Sequence, residues 1–218
     1  MTVRIDVISD VVCPWCFIGK RRLESALDLW RSRSADAPEI EVAWHPFQLN
    51  PDLPPEGIER SEYVARKFGA RSHDIYQRVS GVGRTVGIDF AFERIVRQPN
   101  TTAAHQLIAL AQDEGKQDEI VEALFRAYFL EGVDLTQTGN LLALGERAGL
   151  PRENARAALA DDARRQTVAA GDTQARALGV SGVPFFIFEQ RLAVSGAQEP
   201  DVLLQALTQA AQEPAEQR

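Results

Sequence analysis

The chain has 218 residues, which is long enough to bury a core in one large domain or two small ones. Its 44% hydrophobic and 25% charged residues are typical of a soluble globular protein. The net charge of −7 argues against a nucleic-acid partner, because binding a phosphate backbone requires a basic surface.

The first residues carry charges, at Arg4 and Asp6, where a signal peptide would need its apolar segment. No stretch approaches the roughly 20 apolar residues that cross a bilayer. We therefore expect a cytoplasmic protein with no membrane partner. In that compartment a lone C-x-x-C motif is redox-active or metal-binding rather than a structural disulfide.

The chain begins with a β-α-β pattern. Apolar residues at alternate positions predict two strands, and apolar residues at helical spacing predict a helix between them. The positions are Val3, Ile5 and Val7, then Leu23, Leu27 and Trp30, then Ile40, Val42 and Trp44. Short joints imply a right-handed crossover and a parallel pair of strands. The basic run at 20–22 is expected to form a solvated face of the helix.

Helical patterns dominate from about Ser61 to Leu178. Ser61 and Thr138 are predicted N-cap residues, and Pro151 is predicted to take the first position of a helix. Asp161 or Asp162 is expected to begin a long helix that Gly179 ends. Strand patterns then return at 185–188 and 192–194, with a polar turn at 189–191 that predicts a hairpin. Pro200 is expected to begin a last amphipathic helix, followed by a frayed polar tail from Gln212.

The order β-α-β, helices, β-β-α predicts an α/β fold in which both ends of the chain form one sheet. We expect a discontinuous domain of residues 1–58 and 177–211. Residues 59–176 are predicted to be an all-helical insertion between its two parts, and residues 212–218 a tail.

The two cysteines of the chain, Cys13 and Cys16, both lie between the first strand and the first helix. The start of a helix offers unpaired N–H groups and a dipole that favour an anion, so Cys13 is expected to exist partly as a thiolate. Pro14 suits the first turn, where a missing N–H costs little. We predict that Cys13 is the nucleophile and that Cys16, one turn later and more buried, is the resolving thiol.

The motif has two other interpretations. A zinc site would need further ligands, but there is no third cysteine, and His45, His73 and His105 lie 28 and 32 residues apart. Two core cysteines could also lie close together by chance, which the position between strand and helix disfavours. The redox interpretation is preferred, and no metal site is predicted.

The stretches SDVVCPWCFIGKRRLE and ALGVSGVPFFIF together resemble the DsbA-like thioredoxin-fold family, and within it the FrnE-like branch. The resemblance covers almost the whole chain, since family members carry a helical insertion between the β-α-β and β-β-α halves. It implies a cis-proline that faces the active cysteine, at Pro184. The backbone of Val183 would then pair with an extended peptide. Without the resemblance, a trans Pro184 at the start of a strand would be favoured.

The chain departs from the family pattern in three places. Val7 stands where many relatives carry a buried carboxylate, six residues before the first cysteine. Asp10, three residues before Cys13, is a candidate to relay protons or to repel the thiolate, and equally to cap the loop. Trp15 cannot supply the cation that a histidine gives strongly oxidising relatives, so a less oxidising couple is implied. A second cysteine pair, present in some FrnE-like proteins, is missing.

Candidate substrate-binding residues are Pro14, Trp15, Val183 and Pro184, with Asp10, Phe47, Asn100 and His105 as weaker ones. Phe47 would either line a groove beside Cys13 or pack in the core. In the related kappa-class glutathione transferases and hydroxychromene-carboxylate isomerases, the region of Asn100 and His105 approaches the active site. For His105, an ordinary position on a helix is favoured.

The resemblance and the motif together predict a cytoplasmic thiol–disulfide oxidoreductase that acts on a disulfide- or dithiol-containing protein or small molecule. No cofactor is expected, with glutathione as a candidate co-substrate. One alternative is a glutathione-dependent isomerase or transferase of the kappa or hydroxychromene-carboxylate type, although those proteins generally place a serine where Cys13 stands. Another is a binding protein that uses an apolar groove around Trp15 and Phe47.

Overall fold

The computed structural model describes residues 2–33 and 38–212, so residues 213–218 of the predicted tail lie outside the described residues. The strands within these ranges are β1 (Thr2–Ser9), β2 (Glu39–Pro46), β3 (Ile58–Glu59), β4 (Arg97–Gln98), β5 (Phe185–Phe188) and β6 (Leu192–Ser195). The α-helices are α1 (Pro14–Arg33), α2 (Arg60–Lys67), α3 (Ser72–Thr85), α4 (Thr102–Asp113), α5 (Gln117–Arg126), α6 (Thr138–Arg147), α7 (Arg152–Ala160), α8 (Asp162–Ala177) and α9 (Pro200–Gln212). None of these helices has both the length and the apolar character needed to cross a bilayer.

The main sheet has the strand order β2-β1-β5-β6. β1 and β2 are parallel and joined through α1, as the β-α-β pattern predicts. β5 runs antiparallel to both β1 and β6. The predicted hairpin is present, with a three-residue connection in which Glu189 and Gln190 have φ values of 51° and 56° and the Arg191 N–H donates to the Phe188 carbonyl at 3.0 Å.

The two faces of the sheet pack against different helices. Val7 and Phe186 belong to the main core together with residues of α1 and α9. Ile8 points to the other face, where it packs with Ala175 of α8. The alternation of side chains along β1 explains this division, since neighbouring residues face opposite sides.

The first turn of α1 is fixed against the helices that follow β2. Phe17 stacks on Phe125 of α5 with ring centroids 5.1 Å apart, and it meets Phe90 edge-on at 6.1 Å. Aromatic pairs in these geometries add to the free energy gained by burial alone. The part of α1 beside the cysteines is therefore held in place by residues of the segment between β2 and β5.

The segment between β2 and β5 is mainly helical, as predicted. It is not entirely so, because β4 pairs antiparallel with β3 at its beginning. Two-residue strands are too short to show a period-2 pattern, which is why the sequence did not predict them. The division into residues 1–58 with 177–211 and residues 59–176 stays a prediction.

Several predicted helix ends are displaced by one or two residues. Ser61 does not cap α2, because β3 leads directly into the helix and Glu59 takes the cap position. Thr138 and Pro151 are each displaced by one residue, since α6 begins at Thr138 and Pro151 takes the cap of α7. At α8 the prediction is confirmed: the Asp161 carboxylate accepts a hydrogen bond from the Ala163 N–H.

The expectation of a solvated basic face on α1 is wrong. Lys20 is only 2% exposed. Its ammonium group contacts the carboxylates of Glu24, Asp118 at 3.0 Å and Glu122 at 3.4 Å. Burial alone would lower the pKa of Lys20, but these carboxylates outweigh it and raise the pKa. The run thus joins α1 to α5.

Candidate functional site

Cys13 occupies the turn between β1 and α1. Its N–H donates to the Asp10 carbonyl at 3.0 Å, and its own carbonyl accepts from the Cys16 N–H at 3.0 Å. Both cysteines are free thiols, with Cys13 4% and Cys16 1% exposed. The Cys13 sulfur therefore lies where the first turn of a helix presents its N–H groups, and Cys16 lies deeper in the same turn.

The loop before β5 lies directly over Cys13. The Val183–Pro184 peptide bond is cis, as the resemblance implies, and the Cys13 thiol donates to the Val183 carbonyl at a distance of 3.5 Å. Val183 is half-buried and Pro184 is buried. The structure thus brings Cys13 together with Val183 and Pro184, which follow it by 170 or more residues in the sequence.

Gly19 makes this close approach possible, and the sequence analysis did not identify it. A Cβ atom at Gly19 would lie 2.8 Å from Cγ of Pro184 and 3.2 Å from the ring of Phe186. These distances are shorter than van der Waals contact. An isolated glycine inside a helical pattern was the available signal, because such a residue often has a packing reason.

Cys16 is surrounded by protein on all sides. Burial raises the pKa of its thiol well above the ordinary value, and the neighbouring Cys13 sulfur raises it further. Hydrogen bonds from the Ser9 side chain and the Asp10 backbone act in the opposite direction. Cys16 is consequently a thiol at neutral pH. Ser9 is a second residue that the sequence analysis missed.

Asp10 and His105 lie behind the cysteines and form a buried pair. Asp10 is fully buried, and one carboxylate oxygen accepts from the Leu49 N–H at 2.8 Å. The other oxygen, Oδ1, lies 3.5 Å from Nε2 of His105, which is 3% exposed. Neither of these two atoms has a hydrogen-bond partner among the described residues. The Asp10 side chain does not cap the loop before α1.

The remaining candidates have structural contacts. Phe47 packs in the core with Ile8, and the Arg176 guanidinium lies 4.2 Å from its ring centroid. The Asn100 amide donates to the Leu53 carbonyl at 2.7 Å and so ties the Pro-rich loop to the start of α4. Pro14 and Trp15 are half-buried in the first turn of α1, beside Cys13.

A second polar cluster lies on the face of the sheet that packs against α8. Asp6 accepts hydrogen bonds from His45 at 2.7 Å and Arg4 at 2.9 Å. Burial by itself raises the pKa of Asp6, but these two hydrogen bonds outweigh it, so the pKa is lowered. The cluster lines a cleft of about 610 Å³ between the sheet and α8.

A smaller cavity of about 290 Å³ lies between the end of β2, α4 and α8. Trp44, His45, His105, Gln112 and Gly171 are among its lining residues. Nε1 of Trp44 is buried without a hydrogen-bond partner in the described part of the chain. His105 therefore stands between this cavity and Asp10.

Comparison with known proteins matches residues 4–208 to the DSBA-like thioredoxin domain. Among solved structures, one described as a "probable DsbA oxidoreductase" from Streptomyces coelicolor is 30% identical, covers 99% of this chain and 93% of its own, and has a TM-score of 0.87. The thioredoxin fold predicted from the sequence is thereby confirmed.

Two more distant structures share the fold. The cytosolic disulfide reductase DsbM from Pseudomonas aeruginosa, solved with GSH, is 18% identical with a TM-score of 0.64, covering 96% of this chain and 100% of its own. A 2-hydroxychromene-2-carboxylate isomerase is 13% identical with a TM-score of 0.71, covering 94% and 95%. At these identities the likeness extends to the fold alone.

Proposed function

The chain belongs to the DSBA-like thioredoxin domain family, and we propose that it catalyses thiol–disulfide exchange through Cys13 and Cys16. The observation that carries the proposal is the position of the Cys13 sulfur. It lies at the start of α1 and 3.5 Å from the Val183 carbonyl, next to Pro184. A sulfur so placed lies at the end of the helix that presents unpaired N–H groups and beside a backbone segment that can bind a substrate.

In the first step the Cys13 thiolate attacks a substrate disulfide. A bond forms between Cys13 and one substrate sulfur, and the second substrate sulfur leaves as a thiolate. The N–H groups of the first turn of α1 stabilise the negative charge on Cys13 before the attack. The product is a mixed disulfide between Cys13 and the substrate.

In the second step Cys16 resolves the mixed disulfide. Cys16 loses its proton and attacks the Cys13 sulfur, which releases the remaining substrate thiolate. The two cysteines are then joined and have given two electrons to the substrate. When the protein starts as the disulfide, the same steps run in reverse and a dithiol substrate is oxidised.

The Val183 backbone and the half-buried Pro14 and Trp15 supply the substrate surface in this proposal. An extended segment of a partner would pair with Val183 and place its sulfur at Cys13. Partners are disulfide- or dithiol-containing proteins or small molecules, with glutathione as a candidate. A protein with net charge −7 would not favour nucleic acid.

We place the activity in the cytoplasm and in the FrnE-like branch of the family. The sole C-x-x-C motif in an otherwise cysteine-free chain supports a reducing compartment. The fold shared with a reductase described as cytosolic is in keeping with this location. The C-P-W-C sequence and the missing second cysteine pair are the features on which the branch is proposed.

Trapping experiments test the proposal. A Cys16→Ser variant should accumulate a mixed disulfide at Cys13 with oxidised glutathione, and a Cys13→Ser variant should form none; mass spectrometry of acid-quenched samples reads both. Turnover of a disulfide substrate should require both cysteines. Full turnover in Cys16→Ser, with saturable glutathione binding, would favour the glutathione-dependent isomerase instead, and effects independent of Cys13 would favour the binding protein.

A further inference from the structure

Deprotonation of Cys16 is the difficult step in the proposed exchange. The thiol is 1% exposed, and burial raises its pKa. When a substrate is joined to Cys13, it also covers the open side of the site. The proton of Cys16 therefore needs an acceptor inside the protein and a path to water on another side.

Asp10 is in contact with both cysteines through its backbone. Its carbonyl accepts from the Cys13 N–H, and its own N–H bonds the Cys16 sulfur. Val7, by contrast, is a buried apolar residue with no group that can hold a proton. Asp10 thus supplies a carboxylate just after β1, whereas Val7 has no carboxylate.

The contacts of the Asp10 carboxylate leave one oxygen for proton transfer. Oδ2 is held by the Leu49 N–H at 2.8 Å, whereas Oδ1 faces only Nε2 of His105 at 3.5 Å. Leaving a buried polar atom without a hydrogen bond is costly, so Oδ1 of Asp10 and Nε2 of His105 each have the other as the nearest available partner. A proton carried by either residue can therefore pass to the other.

His105 connects this pair to the 290 Å³ cavity between β2, α4 and α8. The cavity is large enough for several water molecules, since one occupies about 30 Å³. Trp44 contributes an N–H without a protein partner among the described residues, and Gln112 an amide, so the lining suits water. His45 lines both this cavity and the cleft along α8.

We propose that Asp10 and His105 relay the proton of Cys16 to this cavity while a substrate occupies Cys13. The inference rests on the proposed exchange reaction. Asp10 accepts the proton as Cys16 attacks the Cys13 sulfur, His105 takes it from Asp10, and water in the cavity receives it. The electron pair of the broken substrate–Cys13 bond leaves on the substrate thiolate, which is protonated by solvent after release.

The test follows resolution of a single mixed disulfide. Reduced protein is mixed with oxidised glutathione, quenched with acid at intervals, and analysed by mass spectrometry for the Cys13–glutathione adduct and the Cys13–Cys16 disulfide. In Asp10→Asn and His105→Gln the adduct should accumulate, with resolution slower by about 100-fold, a typical loss for removal of an acid–base group. Formation of the adduct, which depends on Cys13, should change much less.

The pH profile separates a relay from a general loss of structure. Besides His105, the titratable groups around Asp10 are Cys13, Cys16 and, more weakly, Tyr128. Without the relay only solvent removes the proton, so the resolution rate should rise about tenfold per pH unit below the pKa of Cys16. The wild type should show a flatter profile. A structural defect would lower the rate equally at every pH.

Asp28→Asn and His73→Gln, at exposed positions away from the cysteines and the cavity, serve as matched controls and should resolve at the wild-type rate. A wild-type measurement in mixtures of H₂O and D₂O needs no variant. Two coupled transfers predict a curved dependence of the resolution rate on the deuterium fraction. A linear dependence, or an Asp10→Asn variant that resolves within twofold of wild type with the same pH profile, would overturn the relay. If the wild type forms neither adduct nor disulfide, the exchange function itself fails.

Discussion

The molecule contains two aspartate–histidine pairs in different surroundings. The aspartate of one pair lies on β1, and that of the other directly follows β1. Asp6 and His45 share a hydrogen bond of 2.7 Å, have Arg4 as a third member, and open onto the cleft along α8. Asp10 and His105 lie 3.5 Å apart and are both buried. Asp6 and His45 therefore have their hydrogen-bond partners, whereas Asp10 and His105 each keep one polar atom without a hydrogen bond among the described residues.

The difference shows how surroundings decide the use of an ionisable pair. Where a carboxylate has a permanent cation and access to water, its charge is settled and the pair contributes to the fold. Where the carboxylate is buried with one hydrogen bond and faces a histidine, a proton can move between them.

The largest expected contrast is in stability. His105→Leu should lower the free energy of unfolding by about 3 kcal/mol, because it leaves the Asp10 carboxylate buried against an apolar group. His45→Leu should cost about 1 kcal/mol or less, because that pair is partly exposed and Asp6 keeps Arg4. Urea unfolding of the two variants measures both. Equal losses would mean that the two pairs are energetically alike.

Two glycine substitutions, one beside the cysteines and one away from them, test the packing around the site. Gly19→Ala should lower the free energy of unfolding by about 1–3 kcal/mol, because the added methyl group overlaps Pro184. It should also slow adduct formation at Cys13, since Val183 must shift. Gly81→Ala on α3 meets nothing within 4 Å and should stabilise by about 0.4–1 kcal/mol. A Gly19→Ala variant as stable and reactive as wild type would contradict this packing.

The smallest effect concerns acid stability. The pKa of Asp6 is lowered from its ordinary value of 3.8, so its ionised form is favoured in the folded state. The resulting stabilisation is present above about pH 4 and is lost as the pH falls through the lowered pKa of the folded state. The stability difference between wild type and Asp6→Asn should thus shrink as the pH falls below about 4. A difference that grows below pH 4 would have the wrong sign.

Local patterns in the sequence predicted most of the fold that positions the site. Alternating residues such as Val3 and Ile5 gave β1, and the hairpin after Phe188 followed from its polar turn. The cysteines could be placed at the start of α1 because strand and helix periods change there. These features depend on neighbours in the chain, and periodicity records neighbours.

The contacts within the site join residues that are far apart in the chain. Local sequence patterns do not record such contacts. Asp10 and His105 were weak candidates, and nothing near either residue indicates that α4 brings them together. The burial of Lys20 is of the same kind, because its partners Asp118 and Glu122 lie on α5. Pro184 was expected to face Cys13 only because the family resemblance implied it.

The central claim is that Cys13 and Cys16 form a redox-active dithiol, and equilibration in graded glutathione buffers tests it most directly. Free thiols at the two positions are counted by alkylation and mass spectrometry at each ratio of reduced to oxidised glutathione. The account predicts one two-electron transition in which both thiols disappear together into a Cys13–Cys16 disulfide. Two free thiols at every ratio, or a stable glutathione adduct at Cys13 in place of the disulfide, would contradict it.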